Sequence, residues 1–158
     1  MNTTRVEVRL VELLTREGLW LCTAESCTGG LIAHRITEVP GASACFLGGA
    51  VAYADALKQS LLGVSETALL ASGAVSEAVA REMAEGARDQ FRGDLSIAVT
   101  GIAGPGGGTP EKPVGLVYTA VAWHSGCDVL RYEFSGTRDE IKTQTADAAL
   151  EMLWERVQ

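Results

Sequence analysis

The sequence has few residues that could hold a metal ion or build a disulfide framework. Its 158 residues include four cysteines and only two histidines, and the cysteines form no C-x-x-C pair. These residues are Cys22, Cys27, Cys45, Cys127, His34 and His124. Zinc sites need closely spaced cysteine and histidine ligands, and small disulfide-stabilised domains are much richer in cysteine. We therefore expect no metal and no cofactor, and we interpret the cysteines as small apolar core residues.

The chain also lacks a long apolar run and an excess of positive charge. No stretch reaches the roughly 18 uninterrupted apolar residues of a membrane span. The opening "MNTTRVEVRL" carries charges where a secretory signal needs an apolar core. A net charge of −7 repels phosphate backbones and anionic lipids. The prediction is a cytoplasmic protein that binds neither nucleic acid nor membrane.

Apolar patterning indicates a single α/β domain over residues 1–158. Segments with helical spacing alternate with short apolar runs typical of buried strands, and the last two strand-like runs are joined by a short turn. Thr4 with Glu7 and Thr137 with Glu140 have the spacing of capping boxes, which predicts helix starts at both places. We predict a three-layer α/β/α sandwich with a largely parallel, mixed sheet that carries an antiparallel edge.

The segment "AESCTGG" presents hydroxyl groups in a turn between a predicted strand and a predicted helix. Ser26 or Thr28 can cap the helix, or Ser26 can be a nucleophile beside turn amides that bind an oxyanion. Gly29 and Gly30 leave room for a substrate. Spacing alone leaves both interpretations open. Cys27 is a rival nucleophile, but no histidine lies nearby in the sequence to form its thiolate, so we interpret it as buried.

A serine nucleophile needs a base, and neither histidine stands in a serine-hydrolase motif. Lys58 lies about one turn into the helix that follows the second predicted strand, and Tyr53 lies at the end of that strand. A lysine acts as a base only where its surroundings leave it neutral, and otherwise it is a solvated surface charge. The residues alone leave both interpretations open.

The segment "TGIAGPGGGTPEKPVG", residues 100–115, contains six glycines and three prolines. It matches neither a phosphate-binding P-loop nor a dinucleotide-binding motif. Its main-chain amides can form an anion site to which Lys112 adds a charge, which would suit a mononucleotide phosphate, or the segment is a flexible surface loop. Arg138, at the start of the closing helix, is either a second phosphate ligand or a surface charge.

Six blocks of the sequence recur together in one protein family. They are "AESCTGG", "VPGASACFLGGAVAYADALKQSLLGV", "GAVSEAVAREMAEGAR", "TGIAGPGGG", "KPVG" and "FSGTR". In this order they resemble the C-terminal domain of the competence/damage-inducible protein CinA, from about residue 5 to the end. That family includes stand-alone nicotinamide mononucleotide amidases.

The resemblance implies hydrolysis of the carboxamide of nicotinamide mononucleotide to nicotinic acid mononucleotide and ammonia. It implies a catalytic pair of Ser26 and Lys58, with Tyr53 orienting the lysine and the turn at Thr28 and Gly29 holding the oxyanion. The predicted substrate-binding residues are Glu25, Gly30, Thr100, Gly101, Gly104, Gly106, Gly107, Gly108, Lys112 and Arg138. Paired helices in a small single domain lead us to expect a homo-oligomer.

The chain departs from the family just before Lys58. Where the family commonly reads "VTYSN", this sequence has "VAYAD", so Ala52 and Ala54 lack hydroxyls and Asp55 brings a negative charge. A carboxylate near Lys58 favours the charged amine. Two alternatives therefore stay open: a catalytically silent nucleotide- or partner-binding module, and a serine hydrolase of a different amide. A nucleic-acid-associated competence factor is disfavoured by the negative charge.

Overall fold

The computed structural model describes residues 4–158, which form a five-stranded sheet with helices on both faces. The strands are β1 (Leu21–Glu25), β2 (Phe46–Val51), β3 (Leu95–Gly101), β4 (Leu116–Trp123) and β5 (Gly126–Glu133). The helices are α1 (Val6–Glu17), α2 (Leu31–Thr37), α3 (Asp55–Leu62), α4 (Glu66–Ser72), α5 (Glu77–Phe91) and α6 (Arg138–Val157). A short 3₁₀ helix, Ala42–Ala44, precedes β2.

The sheet is mixed, as predicted, and its strand order is β2-β1-β3-β4-β5. Strand β1 pairs in parallel with β2 and β3, whereas β4 pairs antiparallel with β3 and β5. Parallel and antiparallel pairs are thus equally frequent. The reason is that parallel neighbours need a crossover connection, usually a helix, and no helix separates β3, β4 and β5. The predicted antiparallel edge of the sheet is formed by β5, which pairs with β4.

Helices cover both faces of the sheet, so the predicted α/β/α sandwich is confirmed. On one face α1, α2 and α6 pack around a core that includes Leu10, Ile36 and Leu150. On the other face α3, α4 and α5 pack around Leu62 and Met83. Within residues 4–158, none of the helices is long and apolar enough to cross a membrane.

One of the two predicted capping boxes is present. Thr137 Oγ1 accepts from the amide of Glu140 at 3.2 Å, and the Glu140 carboxylate accepts from the Thr137 amide at 2.7 Å. Helix α6 therefore begins as predicted.

The capping box predicted for Thr4 and Glu7 is wrong, because α1 has Arg5 at its N-cap and the Glu7 side chain turns inward. The Glu7 carboxylate is 1% exposed and accepts two hydrogen bonds of 3.2 Å from the guanidinium of Arg35. Arg35 also contacts Asp147 on α6. This ion pair joins three helices, and a paired guanidinium is what a buried carboxylate requires.

We expect Glu7→Gln to lower the free energy of unfolding at pH 7 by about 1–3 kcal/mol, because it leaves Arg35 without its buried charge partner. Burial raises the pKa of Glu7, but the hydrogen bonds from Arg35 and the main chain, together with the positive charges of Arg35 and Arg5, outweigh it and hold the pKa below 4.5. A lowered pKa stabilises the fold above 4.5, and that contribution disappears as the pH falls through the folded-state value. The difference between variant and parent should therefore shrink in acid, measured by urea unfolding across pH.

Glu17→Gln is the matched control, because Glu17 lies on the same helix in an exposed pair with Arg16. Its effect should stay below about 0.5 kcal/mol. Equal losses in the two variants would contradict the role assigned to Glu7.

Candidate active site

Ser26 follows the carboxyl end of β1, in the tight turn that leads to α2. Its amide donates to the carbonyl of Val99 at 3.2 Å, so the start of the turn is still held to the neighbouring strand β3. The side chain is 7% exposed. The sheet therefore fixes the position of this hydroxyl, and the turn leaves a small part of it accessible.

The amine of Lys58 lies against the hydroxyl of Ser26, as the resemblance implies. Helix α3 carries Lys58 inward, where its side chain is 1% exposed and Nζ lies 3.1 Å from Ser26 Oγ. The amine also donates to the carbonyls of Ala52 at 2.9 Å and Tyr53 at 3.2 Å. Three oxygen atoms thus surround a lysine amine that is out of contact with solvent.

Two influences of opposite sign act on the pKa of Lys58. Burial disfavours the charged amine and lowers the pKa, whereas the nearby Asp55 and Cys27 raise it. The Asp55 carboxylate is 60% exposed, and its Oδ1 lies 3.8 Å from Nζ. Burial is the larger effect, so the pKa of Lys58 lies below the ordinary 10.5.

The carboxylate of Glu25 caps α2, so neither Ser26 nor Thr28 has that role. Glu25 is 1% exposed and accepts from the amides of Ile32 at 2.8 Å and Ala33 at 3.0 Å. It also accepts from the hydroxyl of Thr28 at 2.7 Å. The prediction that Glu25 binds substrate gains no support from this arrangement, because its carboxylate is buried and hydrogen-bonded inside the fold. Ser26 is consequently left available for chemistry.

The turn amides differ from the predicted oxyanion site. The Gly29 amide donates to the carbonyl of Ser26 at 3.1 Å and is therefore engaged within the turn. In the described part of the chain, the amides of Thr28 and Gly30 donate to no protein acceptor. Gly30 has a φ of 103°, which a residue with a side chain rarely adopts. The amides of Thr28 and Gly30 therefore replace that of Gly29 as candidate donors to an oxyanion.

A cavity of about 180 Å³ opens beside the serine and the lysine. Its lining includes six of the predicted residues: Ser26, Tyr53, Lys58, Thr100, Gly101 and Arg138. It also includes Cys27, Asp55, Ala74, Val75 and Ala103. Ligand pockets for whole drug-sized molecules are usually larger than about 300 Å³, so this cavity can enclose only one ring-sized end of a mononucleotide.

Cys27 lines this cavity, but its thiol is unreactive. The side chain is 6% exposed, and burial raises the pKa of its thiol to about 12. The thiolate that a cysteine nucleophile needs is therefore scarce at neutral pH. This agrees with the interpretation of Cys27 as a buried cysteine.

Arg138 joins two other segments of the chain at the rim of the cavity. Its guanidinium donates to the carbonyl of Gly104 at 2.7 Å and to the hydroxyl of Tyr53 at 3.1 Å. Tyr53 therefore contacts Lys58 through its main-chain carbonyl and Arg138 through its ring, which is 60% exposed. The structure thus joins the glycine-rich segment, the β2–α3 connection and the first turn of α6 around one opening.

Of the predicted residues in the glycine-rich segment, Thr100 and Gly101 line the cavity, whereas Gly104, Gly106, Gly107, Gly108 and Lys112 do not. Thr100 donates its hydroxyl to the carbonyl of Ala74 at 2.9 Å. Residues 106–108 are exposed and outside the cavity lining. The Lys112 amine donates to the carbonyl of Ser72, where a positive charge compensates the carboxyl end of α4. The predictions that Gly106, Gly107, Gly108 and Lys112 bind substrate therefore lack support from this conformation.

Sequence reasoning missed three contributions to the site. The carbonyls that hold Lys58 carry no sequence signal, because every residue has one. The apolar pair Ala74 and Val75 lines the cavity between two helices. Lys142, one helical turn after Arg138, brings its amine to 3.8 Å from where a Cβ on Gly29 would lie. Its i,i+4 spacing from Arg138 is the signal that could have identified it.

No group of three or more metal-ligating side chains occurs within residues 4–158.

Comparison with known families agrees with this architecture. The family model described as the CinA C-terminal domain matches residues 3–157. The chain belongs to the CinA C-terminal domain family. A CinA-like protein of Geobacter sulfurreducens is 53% identical over 152 residues, which are 96% of this chain and 37% of that protein. A CinA-like protein of Thermotoga neapolitana is 46% identical over 153 residues, 97% of this chain and 37% of that protein.

The chain spans little more than a third of the length of these curated relatives, but it covers related solved structures almost completely. The competence/damage inducible protein CihA of Agrobacterium tumefaciens has 45% identity and a TM-score of 0.92, covering 97% of this chain and 94% of that one. A CinA superfamily protein of Enterobacter cloacae has 33% identity and a TM-score of 0.94, covering 100% and 95%. These likenesses establish the CinA fold for this chain.

We expect Glu25→Gln to lower the free energy of unfolding by about 1–3 kcal/mol, because an amide offers one acceptor oxygen where α2 and Thr28 use two. Urea unfolding measures this loss. Glu38→Gln is the control at the opposite end of α2, where the carboxylate is exposed, and it should change stability by less than about 0.5 kcal/mol. Unchanged stability of Glu25→Gln with weakened ligand binding would restore the predicted substrate contact.

Proposed function

We propose that this chain is a nicotinamide-nucleotide amidase that converts nicotinamide mononucleotide to nicotinic acid mononucleotide and ammonia. One observation carries the proposal: the amine of Lys58, 1% exposed, lies 3.1 Å from the hydroxyl of Ser26. A buried lysine beside a serine is an arrangement that activates a nucleophile without histidine. The resemblance of the motifs around these residues to the CinA amidases supplies the substrate.

The surroundings of Lys58 suit the neutral amine that a base must be. A neutral amine has two N–H groups and one lone pair, and the carbonyls of Ala52 and Tyr53 can accept both N–H groups. The remaining neighbour is the hydroxyl of Ser26, toward which the lone pair can then point. Burial makes this neutral form accessible by lowering the pKa of Lys58.

The first half of the proposed reaction forms an acyl-enzyme. Lys58 takes the proton of the Ser26 hydroxyl while Oγ attacks the carboxamide carbon. The negative charge that develops on the carbonyl oxygen is stabilised by unpaired turn amides, for which Thr28 and Gly30 are the candidates. The C–N bond then breaks, and the proton held by Lys58 passes to the leaving nitrogen, so ammonia departs and Lys58 is neutral again.

The second half restores the serine. Lys58 takes a proton from a water molecule, whose oxygen attacks the acyl carbon. The bond from that carbon to Oγ breaks, and Ser26 recovers its proton from Lys58 as the nicotinic acid product leaves. The sum is one amide and one water converted to one acid and one ammonia, and no step requires a cofactor.

The cavity matches one end of the proposed substrate. Its volume of about 180 Å³ suits the pyridine ring and carboxamide, which leaves ribose and phosphate at the rim near Arg138. The phosphate can replace the Tyr53 hydroxyl and the Gly104 carbonyl as partner of the guanidinium, which binds phosphate better than neutral oxygens. We further propose that the protein works in the cytoplasm as a homo-oligomer and binds neither nucleic acid nor membrane.

Ser26→Ala and Lys58→Arg should each reduce ammonia release from nicotinamide mononucleotide by about 10³-fold or more. Alanine removes the nucleophile. Arginine keeps N–H donors for the two carbonyls but stays protonated, so it cannot act as the base. Ammonia release by the purified parent and both variants is the measurement, with thermal unfolding to verify that each variant folds.

The same assay separates the alternative of a silent binding module. That alternative is favoured by the three acceptors around Nζ, since a charged amine could donate to all of them. A silent module would show a thermal shift with nicotinamide mononucleotide but release no ammonia. Activity on another carboxamide alone would instead identify a serine hydrolase of a different amide.

The pH dependence of kcat/KM should have an acid limb that reports the Lys58 amine. The base must be neutral, so activity falls as the pH falls through the pKa of Lys58. Because burial lowers that pKa, the limb should lie below 10.5. Initial rates across pH at low substrate concentration measure it. A rate that is independent of pH throughout the range below 10.5, with chemistry limiting, would exclude Lys58 as the base.

A further inference from the structure

The charges around the cavity are unevenly distributed. Its charged lining residues are Asp55, Lys58 and Arg138. Asp55 Oδ1 lies 3.8 Å from the Lys58 amine, and that amine lies 3.1 Å from Ser26 Oγ. Arg138 instead contacts the hydroxyl end of Tyr53, whereas Lys58 contacts the main-chain end of the same residue. Apart from Lys58, the negative lining side chain is therefore close to the reacting pair, whereas the positive one lies a tyrosine side chain away. The amine of Lys142 lies outside the lining, 3.8 Å from where a Cβ on Gly29 would lie.

The working state of the proposed enzyme increases this asymmetry. A base must be neutral before it takes a proton, so Lys58 carries no charge to offset Asp55 when substrate binds. The distance of 3.8 Å between Asp55 Oδ1 and Lys58 Nζ is also too long for a hydrogen bond. The Asp55 side chain is 60% exposed, and it lines the cavity. Asp55 is then a negative charge at the start of α3, with no cationic side chain within residues 4–158 to offset it, beside the place that the carboxamide must occupy.

Resting on the proposed amidase function, we propose that Asp55 selects a carboxamide carried by a positively charged ring. In oxidised nicotinamide mononucleotide the ring nitrogen is cationic and lies meta to the carboxamide, close to the point of attack. In the reduced form the dihydropyridine ring is neutral, although the ribose and phosphate are the same. Asp55 therefore favours the oxidised nucleotide, by attraction to a charge that the reduced nucleotide lacks.

The position of Arg138 fits the same ligand. A nucleotide with a cationic ring and an anionic phosphate has its two charges at opposite ends, and the cavity presents the opposite charges in the same order. Reducing the ring removes its positive charge but leaves the contact between the phosphate and Arg138 unchanged. The preference for the oxidised form thus depends on Asp55 and not on Arg138.

The test compares kcat/KM for oxidised and reduced nicotinamide mononucleotide in the parent and in Asp55→Asn. The ratio of oxidised to reduced should fall about three- to tenfold in the variant, the size expected for one partly exposed charge. Removing Asp55 also changes the pKa of Lys58, but that change acts on both substrates and cancels in the ratio. An unchanged ratio would overturn the proposal.

Asp89→Asn is the control for net charge, because Asp89 is 75% exposed on α5 and does not line the cavity. Its ratio should equal that of the parent, and a fall equal to that of Asp55→Asn would also overturn the proposal. Raising the ionic strength in the parent provides a check without any substitution, since screening should lower the same ratio.

Binding measurements separate this proposal from the amidase proposal. Calorimetry with Ser26→Ala and with Ser26→Ala/Asp55→Asn gives the affinities for the oxidised and reduced nucleotides without hydrolysis. If neither nucleotide is hydrolysed by the parent, the amidase function fails. A loss of the oxidised-form preference in the double variant still supports Asp55 as the selecting residue, and equal preferences in both proteins reject it.

Discussion

The amine of Lys58 is buried and hydrogen-bonded to two main-chain carbonyls, and the proposed chemistry depends on this burial. The carbonyls belong to Ala52 and Tyr53, directly after β2. The amide of Ala52 in turn donates to the carbonyl of Glu25 at 2.8 Å, which lies next to Ser26. The parallel pairing of β1 and β2 therefore sets the distance between the Lys58 amine and the Ser26 hydroxyl. A lysine on a freely exposed helix would stay charged and solvated.

Glu25 holds the other side of the same turn. Its carbonyl pairs with the β2–α3 connection, and its carboxylate caps α2 through Ile32 and Ala33. Because the carboxylate occupies the amides of Ile32 and Ala33 at the positive end of α2, a substrate phosphate cannot use those two amides. The guanidinium of Arg138 at the rim is the remaining cation that lines the cavity besides Lys58. The cap therefore helps to determine where a phosphate can bind.

Apolar spacing, capping motifs and turn signals predicted the strands, the helices and the α/β class, because apolar spacing records which faces are buried. The pairing of Ser26 with Lys58 came from family resemblance, since spacing left both residues ambiguous. Strand alternation could have indicated that the Glu25 side chain points away from Ser26. Leu21 and Glu25 share one face of β1, whereas Cys22 and Ala24 share the face on which Ser26 continues. Main-chain carbonyls, which complete the lysine site, have no residue-type signal.

Asp55 is unfavourable for a lysine base, because its charge raises the pKa of Lys58, which burial lowers. Its effect on the binding of the proposed substrate, by contrast, is favourable. A neutral amide on a cationic ring is attracted to the site, whereas the product of hydrolysis bears a carboxylate where the substrate had an uncharged group. In the proposed reaction Asp55 therefore repels the product more than the substrate. The charge that makes the base harder to deprotonate also makes the acid easier to release.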